Sequence, residues 1–458
     1  GANADYGVNV TRAAATAGAG PYEIDNVKLD SKTVYTNKIF GTAYRGFGHL
    51  EILWAVERQM DLVADEIGMS PYDFRMKNAL RRGSVTITGE HIGDSHGKIT
   101  ECLEAVAEEI DFDNRDSDDL PEGKKRGKGI ALLHKAPAMP TNTGTAAFLK
   151  FNENGSVNLT VSLVDYGQGT YTALAQIVAD QLNMPVEKVN VVFEQNTDTQ
   201  PYDWQTVASK GLFMSGNATI KACQDMAQQL KEVAAQPLRA SVEDLIIEDE
   251  KVKIRHHKDQ YVTFKELAMG YTYPNGNGIG GPLVARGNYI AQGLSNIDPE
   301  TGQGHPALDW TYGAHAVEVI VDEETGEFEV KRIASAFDAG KVINESNVIG
   351  QIQGGVIQGY GSAVMEGYQF SEDGRLLTNS FTDYKVPSIA DIPELTPIII
   401  ENAQEDGPYG ARGVAEHPMI SIPPAVANAV QDAIGVKLNE MPVIPEKLYE
   451  LIEEKKNN

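Results

Sequence analysis

The fold class can be inferred from residues 148–182, which read FLKFNENGSVNLTVSLVDYGQGTYTALAQIVADQL. Apolar and polar residues alternate on both sides of NENG, and Gly155 can adopt the positive φ that a tight hairpin turn requires. The second strand leads through a glycine-rich turn into YTALAQIVADQL, where apolar residues recur at the helical period. Paired strands followed by a helix, without strict alternation of the two, predict an α+β protein.

The same two patterns recur along the rest of the chain. Residues 316–333 and 368–379 each place a turn that ends in glycine between β-type segments, so each predicts a further hairpin. A helix is predicted to begin at Ser70, because this potential cap is followed by a first-turn proline and an acidic residue. Other helices are predicted where apolar residues recur at helical spacing, at residues 51–69, 101–110, 217–233 and 422–434.

The chain is too long for one ordinary core, since domains usually contain about 100–200 residues. Its 458 residues therefore predict two or three packed units. The clearest change in composition lies at residues 108–128, EEIDFDNRDSDDLPEGKKRGK, which are charged and almost without apolar side chains. We interpret this stretch as an exposed linker with a boundary near residue 125, which divides the chain into residues 1–125 and 126–458.

Composition limits the classes of function. The chain carries 39 Lys and Arg against 65 Asp and Glu, a net charge of −26. A field of that sign repels nucleic-acid phosphates and anionic lipid, so we expect neither as a partner. Apolar runs stay well short of the roughly 18–20 residues that span a bilayer, and the first residues do not resemble a signal peptide. With Cys102 and Cys223 expected to be buried and reduced, we predict a cytoplasmic protein without a membrane span.

Glycine-rich segments are the first candidates for ligand binding, at residues 41–51, 165–172, 208–217 and 338–361. Glycine lets backbone amides approach a ligand closely, and a turn from strand to helix directs them at an anion. Several such segments in one chain predict a large ligand that carries phosphate, although any one of them alone is more often a plain tight turn. Residues 276–281 match GxGxxG but lack the flanking strand and helix, so we interpret that match as false.

Two charged side chains are candidates for catalysis. Arg45, in AYRGFG, could clamp an anionic or heteroaromatic group, or it could simply tie a helix end. Glu416 lies between a small-residue stretch and an apolar one, where partial desolvation would suit a general base. Alternatively, Glu416 is an acidic residue at the start of a helix and forms an ion pair with Arg412. His417 beside it is more often a structural residue than a ligand, since the histidines show no metal-ligand spacing.

Five motifs occur in order: AYRGFG (43–48), DYGQGTYTALAQIVADQL (165–182), ASKGLFMSGNA (208–218), DAGKVINESNVIGQIQGGVIQGYG (338–361) and YGARGVAEHP (409–418). Together they resemble the molybdenum-binding portion of the molybdenum hydroxylases, which include xanthine dehydrogenases, aldehyde oxidoreductases and nicotinate dehydrogenases. Each motif alone is weak, and their order over nearly the whole chain makes the resemblance specific. The resemblance implies two mixed α/β molybdopterin-binding domains, divided near residue 125.

The resemblance further implies the site. The cofactor is molybdopterin with molybdenum, in bacteria often as a cytosine dinucleotide, and no side chain of the protein ligates the metal. Glu416 matches the active-site glutamate, and Arg45 matches the arginine that faces substrate in purine-oxidising members. The implied cofactor contacts are Gly46, Phe47, Gly167, Gln168, Gly169, Ala208, Ser209, Ser215 and Gln351. Among them, Gln168 is expected near the metal, and Gln351 at the pterin.

These roles imply a dehydrogenase that hydroxylates a carbon of a purine-like or nicotinate-like heterocycle, with water as the oxygen source. Glu416 acts as the base, and Arg45 stabilises negative charge on the substrate. Electrons leave through [2Fe–2S] clusters to FAD, and since Cys102 and Cys223 cannot hold even one cluster, partner subunits or further segments supply both carriers. The alternatives are an aldehyde oxidoreductase of the same family and a non-catalytic, glycine-rich binding subunit.

The chain also departs from the family pattern. The glycine-rich segment expected upstream of AYRGFG, and with it a substrate-facing acid, is absent. The resemblance therefore implies an incomplete first domain, completed by an upstream half of the molybdopterin-binding unit. The loop YRGFGHLE contains no cysteine, which disfavours a site for carbon monoxide, and no role is implied for His49 or His417.

Overall fold

The computed structural model describes residues 5–117, 120–308 and 310–457. Residues 118 and 119 of the predicted linker, and residues 1–4 of the N-terminal stretch, lie outside the described residues. The helices are α1 (Gly7–Thr16), α2 (His49–Glu66), α3 (Pro71–Asn78), α4 (Ile99–Glu109), α5 (Thr170–Leu182), α6 (Gly211–Leu238), α7 (Phe264–Leu267), α8 (Glu345–Val364), α9 (Ile422–Ile434) and α10 (Pro445–Asn457). Among the described helices, none combines the length and apolar character needed to cross a lipid bilayer.

The strands join into separate sheets. They are β1 (Lys124–Lys135), β2 (Gly144–Phe151), β3 (Val157–Val161), β4 (Val189–Val192), β5 (Leu245–Glu248), β6 (Lys251–Ile254), β7 (Tyr261–Thr263), β8 (Tyr271–Thr272), β9 (Gly278–Ile279), β10 (Val284–Ile290), β11 (Thr311–Asp322), β12 (Phe328–Asp338) and β13 (Glu394–Ile400). The sheet orders are β1-β11-β12-β13, β10-β2-β3-β4, β5-β6-β7 and β8-β9.

The chain divides into two compact units. The first consists of Gly1–Ala138, Ser295–Glu405 and Val414–Asn458, and the second of Met139–Leu294 and Asp406–Gly413. The predicted boundary near residue 125 coincides with none of the division points, because it falls on the first residues of β1, which pairs with β11 along its whole length. The end of the charged stretch is thus part of a strand of the first unit. The assignment of residues 1–125 and 126–458 to two cofactor-binding domains stays a prediction.

The sheet of the first unit is covered on both faces. Successive residues of β1 alternate between two apolar cores, Ile130 and Leu132 packing with α4 and Leu133 packing with α9. Gly129 permits the close approach of α9, since a Cβ there would collide with the backbone of Ala425. The strand pairs β1–β11 and β11–β12 are antiparallel, whereas β12 and β13 run parallel. This rigid sheet holds the end of β1 in place, where the candidate site begins.

The second unit packs α5 and α6 with the sheet β10-β2-β3-β4. The antiparallel pair β2–β3 is the hairpin predicted around NENG, and Gly155 has a φ of 83°. The helix α5 begins at Thr170, directly after the glycine-rich turn, as predicted. Helix α6 is long, and a Cβ on Gly287 of β10 would collide with the backbone of Ala218 on α6. Helix and strand therefore touch through their backbones.

Most predicted elements are confirmed, and two are wrong. The hairpin at 316–333 is the β11–β12 pair, and Ser70 caps α3 by accepting from Asp73 N at 3.0 Å. Residues 368–379 form only an isolated bridge between Phe370 and Leu376 instead of a hairpin. Cys102 and Cys223 are buried thiols, as expected.

The second wrong prediction concerns residues 338–361, which were expected to form a glycine-rich loop. Most of this segment is helix α8, capped at its start by Asn344, whose side chain accepts from Asn347 N at 3.0 Å. Ile352 and Val356 of α8 join the apolar core of the first unit. Packing of this face outweighs the roughly 1 kcal/mol that each glycine costs in a helix. Gly359 serves close packing here, since a Cβ on it would lie 2.7 Å from Met419 O.

Candidate functional site

The turn before α2 has a strained backbone. Gly46, Phe47 and Gly48 have φ values of 101°, 45° and 86°. Glycine adopts such angles freely, but for Phe47 they carry an energetic cost that the surrounding structure must offset. A Cβ on Gly48 would collide with the backbone of Val10 in α1, so the turn is pressed against the preceding helix. The geometry thus fixes the direction of Arg45, which directly precedes the turn.

Arg45 is half-buried and binds other parts of the first unit. Its Nε donates to Ala415 O at 2.7 Å, and Nη1 donates to Gln358 Oε1 at 2.9 Å. Its Nη2 lies 3.2 Å from Gln351 O and 3.4 Å from Gln351 Oε1. These bonds match the structural alternative, a residue that ties the turn to α8 and to the segment before Glu416. They also bring Arg45 and Gln351 into contact, while the roles of Arg45 at the substrate and of Gln351 at the pterin stay predictions.

Glu416 follows the carbonyl that Arg45 binds, and its carboxylate meets a buried cation. Lys135 Nζ lies 2.6 Å from Glu416 Oε2, and the two side chains are 3% and 18% exposed. This cation, Lys135 at the end of β1, was not predicted from the sequence. The carboxylate is largely withdrawn from water, as expected for a base, but it lies beside an ammonium group.

Two buried histidines, His49 and His134, lie near the end of β1 in the first unit. Ala136 N donates to His49 Nε2 at 3.4 Å, and the His134 ring stacks on Trp310 with centroids 4.5 Å apart. Burial lowers the pKa of His134 to about 3. Burial, with smaller contributions from Lys135 and His134, holds the pKa of His49 well below its ordinary value. Both imidazoles are therefore neutral near pH 7. His134 and Lys135 are neighbours on β1, so their side chains point to opposite faces of the sheet.

In the second unit, the turn at residues 165–169 is closed by its own side chains. The Asp165 carboxylate accepts from Gly167 N at 3.0 Å, Gly169 N at 3.2 Å and Tyr171 N at 3.0 Å, so it caps the start of α5. Gln168 accepts from Tyr166 N at 2.8 Å and donates to Val164 O at 2.9 Å. The turn is exposed, and its predicted cofactor residues Gly167, Gln168 and Gly169 are held by local bonds.

The other predicted cofactor segment of this unit leads into α6. Ala208 and Ser209 have φ values of 59° and 55°, an unusual conformation for residues other than glycine. Thr206, just before them, accepts from Val164 N at 2.8 Å and, through its carbonyl, from Tyr166 OH at 2.9 Å. The structure therefore brings together the 165–169 turn and the start of the 208–217 segment. Ser215 Oγ is enclosed and has no hydrogen-bond partner among the described residues.

The start of α6 has features that suit a phosphate-bearing pterin. The first amides of α6 have no partner within the helix and carry the positive end of its dipole, which favours an anion. Successive left-handed residues such as Ala208 and Ser209 direct amides toward one point. In the second unit, a ligand would also explain the unpartnered hydroxyl of Ser215. In the first unit, taken by itself, a ligand would explain the strained turn at Phe47. The residues present therefore fit the cofactor. Groups of His, Cys, Asp or Glu able to hold a metal ion are absent from the residues that the structure describes.

Three residues of these sites escaped the sequence analysis. Lys135 follows the apolar run GIALL with only His134 between, and a lysine at such a position is a signal for a buried cation. Asp165 precedes the turn as a potential helix cap, a signal that was also readable. Gln358 lay in a segment expected to be a loop, so its position on the Arg45 side of α8 could not be inferred.

Comparison with known proteins gives consistent matches. A family model described as a molybdopterin cofactor-binding domain matches residues 105–393, and a second model of the same description matches residues 1–79. The gamma subunit of the 6-hydroxypseudooxynicotine dehydrogenase complex of Paenarthrobacter nicotinovorans is 31% identical, over 94% of this chain and 54% of that protein. A putative xanthine dehydrogenase molybdenum-binding subunit of Escherichia coli (strain K12) is 29% identical, over 98% of this chain and 58% of that protein.

A solved structure shows the same fold. Quinoline 2-oxidoreductase from Pseudomonas putida 86 superposes with a TM-score of 0.82 and 26% identity, over 97% of this chain and 57% of that chain. The expected fold class, α+β with molybdopterin-binding domains, is thereby confirmed. The chain spans between half and two thirds of the length of these relatives.

Proposed function

The chain belongs to the molybdopterin cofactor-binding domain family of the molybdenum hydroxylases, and on that premise we propose that it is the catalytic, molybdopterin-binding part of a multi-subunit dehydrogenase. The proposed reaction hydroxylates a carbon of a purine-like or nicotinate-like heterocycle, with water as the oxygen source. The observation that carries the proposal is the carboxylate of Glu416, largely withdrawn from water next to the Arg45–Gln351 contact. Proton transfer by a carboxylate in such a position is the work of a general base.

We assign the cofactor contacts separately in each unit. In the first unit they are Gly46, Phe47 and Gln351. The side-chain amide of Gln351 can both donate a hydrogen bond to the edge of a pterin and accept one from it. In the second unit, the amides at the start of α6 are suited to bind phosphate. The residues proposed there are Gly167, Gln168, Gly169, Ala208, Ser209 and Ser215.

When bound, the molybdenum group supplies a two-electron oxidant and activates water toward carbon. Glu416 accepts the proton of that water at its carboxylate and later releases it to solvent. Arg45 holds the Glu416 segment through Ala415 O, and we propose that its positive charge also stabilises negative charge that develops on the substrate. His49 and His134 are neutral and add no charge near the Lys135–Glu416 pair.

The partners follow from the same proposal. The electrons removed from the substrate must leave the site. We propose that a [2Fe–2S] subunit and an FAD subunit carry them. An upstream half of the molybdopterin-binding unit completes the first domain in this proposal. We further propose the cytosine dinucleotide form of the cofactor and a cytoplasmic location.

The test is made on the purified complex with its natural partners. Metal analysis is expected to give molybdenum near one per chain, together with iron and flavin. Glu416→Gln keeps the shape of the side chain but removes its basicity, so turnover should fall by about 10²–10⁴-fold while molybdenum content is retained. The control is Glu345→Gln, an exposed acid in the first turn of α8, which should leave turnover unchanged. Full activity of Glu416→Gln would refute the assignment of the base.

A second candidate is an aldehyde oxidoreductase of the same family. It is favoured by the hydrogen bonds of Arg45, which occupy the guanidinium with protein groups and weaken the case for a charged substrate. Turnover of xanthine, nicotinate, quinoline and benzaldehyde with a dye as electron acceptor separates the two. Benzaldehyde as the preferred probe would favour the second candidate.

A further inference from the structure

Lys135 is buried at the end of β1, although lysine side chains almost always reach water. An ammonium group withdrawn from water is costly unless an anion and hydrogen-bond acceptors surround it. Glu416 supplies the anion at 2.6 Å, and Ala136 O accepts from Nζ at 3.4 Å. The burial of Lys135 therefore depends on the carboxylate of Glu416, and the two residues act as one unit.

Both partners are anchored through their backbones. Lys135 pairs with Thr311 across the β1–β11 ladder, and Thr311 Oγ1 also donates to Lys135 O at 3.2 Å. On the other side, Arg45 Nε holds the carbonyl of Ala415 at 2.7 Å, directly before Glu416. The Lys135–Glu416 contact therefore bridges two fixed points, and this limits the rotation of the carboxylate.

Other titratable groups approach this pair from the packed elements. His49 at the start of α2 and His134 on β1 are neutral, because burial lowers the pKa of each. His417, in the turn after Glu416, is buried with its ring 5.1 Å from that of Phe337. Arg45 contacts the segment through a backbone carbonyl. The Lys135 ammonium is thus a charge that the structure brings into direct contact with the Glu416 carboxylate.

We propose that Lys135 is a positioning residue for Glu416, an inference that rests on the proposed function. The ammonium group fixes the orientation of the carboxylate, so that its proton-accepting oxygen returns to the same place in each turnover. Such support is what a catalytic group needs, since a misplacement of about 1 Å can cost roughly 10²-fold in rate.

The chain offers a matched control on the same strand. Lys128 is also buried on β1, where Nζ donates to Ile110 O at 2.8 Å and lies 3.8 Å from Glu318 Oε2. Lys128→Met and Lys135→Met each leave a buried anion or acceptors unpaired, so both should lower the unfolding midpoint by roughly 5 °C or more. Only Lys135→Met alters the surroundings of Glu416.

In the molybdenum-loaded complex, we expect Lys135→Met to lower kcat by about 10- to 100-fold with KM within about twofold. The probe is whichever of xanthine, nicotinate, quinoline and benzaldehyde turns over fastest. Lys135→Arg keeps the charge and should restore most of kcat, and Lys128→Met should leave kcat unchanged. A Lys135→Met variant with the kcat of Lys128→Met overturns the inference.

A substrate-free measurement keeps the inference testable in every case. Thermal unfolding of Lys135→Met, Glu416→Gln and the double variant forms a double-mutant cycle. We expect the double variant to lose clearly less than the sum of the single losses, and strictly additive losses contradict the contact. The two proposals can fail separately: a fully active Glu416→Gln refutes the proposed base, whereas an inactive Glu416→Gln beside a normal Lys135→Met refutes only the positioning role.

Discussion

Two glycine-rich turns that precede helices are held in opposite ways. In the first unit, Arg45 at the turn before α2 binds Gln351, 306 residues further along the chain, and Ala415, 370 residues along. In the second unit, the turn before α5 is closed within six residues by Asp165 and Gln168. Both turns carry positive φ angles and both were predicted from sequence as ligand-binding loops.

The difference shows that similar motifs can be rigid for different reasons. A locally closed turn keeps its shape wherever its own residues are present, because its hydrogen bonds need no distant partner. The turn that contains Arg45 depends on hydrogen bonds to α8 and to the segment before Glu416. A substitution in either part is therefore expected to disturb the conformation of the turn. We therefore expect substitutions at the first turn to affect distant residues, and substitutions at the second to remain local.

Arg45→Met tests the long-range turn. The change removes hydrogen bonds from a half-buried guanidinium and leaves the carbonyl of Ala415 without its donor, so we expect a loss of about 3 kcal/mol in the free energy of unfolding. Turnover should fall as well, because the Glu416 segment loses its anchor. Thermal unfolding and steady-state kinetics measure the two effects.

The pattern of kinetic losses also tests the role of Arg45. A contact with substrate predicts a larger loss for nicotinate and xanthine than for benzaldehyde, since the charge acts on the anionic or heteroaromatic group. An equal loss for all of them leaves only the structural role. An unchanged unfolding midpoint would contradict the long-range dependence of this turn.

Asp165→Ala tests the locally closed turn. The carboxylate accepts from amides at the start of α5, so its loss should cost about 1–2 kcal/mol, the usual range for a helix cap. Asp165→Asn should lose less, because its single side-chain oxygen can still accept from Gly167 N and Gly169 N, whereas its amide nitrogen cannot accept from Tyr171 N. Circular dichroism during thermal unfolding measures both variants, and equal stability of Asp165→Ala and the parent chain would argue against the cap.

Gln168→Ala should have the weakest effect on stability. The side chain is exposed and bonds only within its own turn, so we expect a change within about 0.5 kcal/mol. Cofactor retention is the informative readout, since we propose that Gln168 contacts the cofactor. Molybdenum content after gel filtration should fall in Gln168→Ala and be normal in Gln176→Ala, a control in the middle of α5. Equal retention would remove Gln168 from the proposed contacts.

Much of the fold was readable from local patterns. The turn at Gly155, the cap at Ser70 and the strand-to-helix turn at residues 165–169 all depend on neighbours in sequence, and the structure confirms them. Helix α8 was not readable, because its glycines are tolerated only through packing against distant residues such as Met419.

The candidate site divides in the same way. Arg45, Gln351 and Glu416 could be named from their motifs, and the structure links the first two directly. The partnership of Glu416 with Lys135 could not be inferred, since it depends on where the end of β1 lies relative to a segment far along the chain. Ion pairs of this kind follow from tertiary packing and leave no spacing signal in the sequence.

Anomalous diffraction at the molybdenum edge, on crystals of the loaded complex, would locate the metal relative to Glu416. We predict a single molybdenum peak per chain within hydrogen-bond reach of the Glu416 carboxylate, directly or through one water, which means roughly 3–5 Å. A peak far from this carboxylate, or a carboxylate turned away from the metal, would contradict the proposed catalytic role.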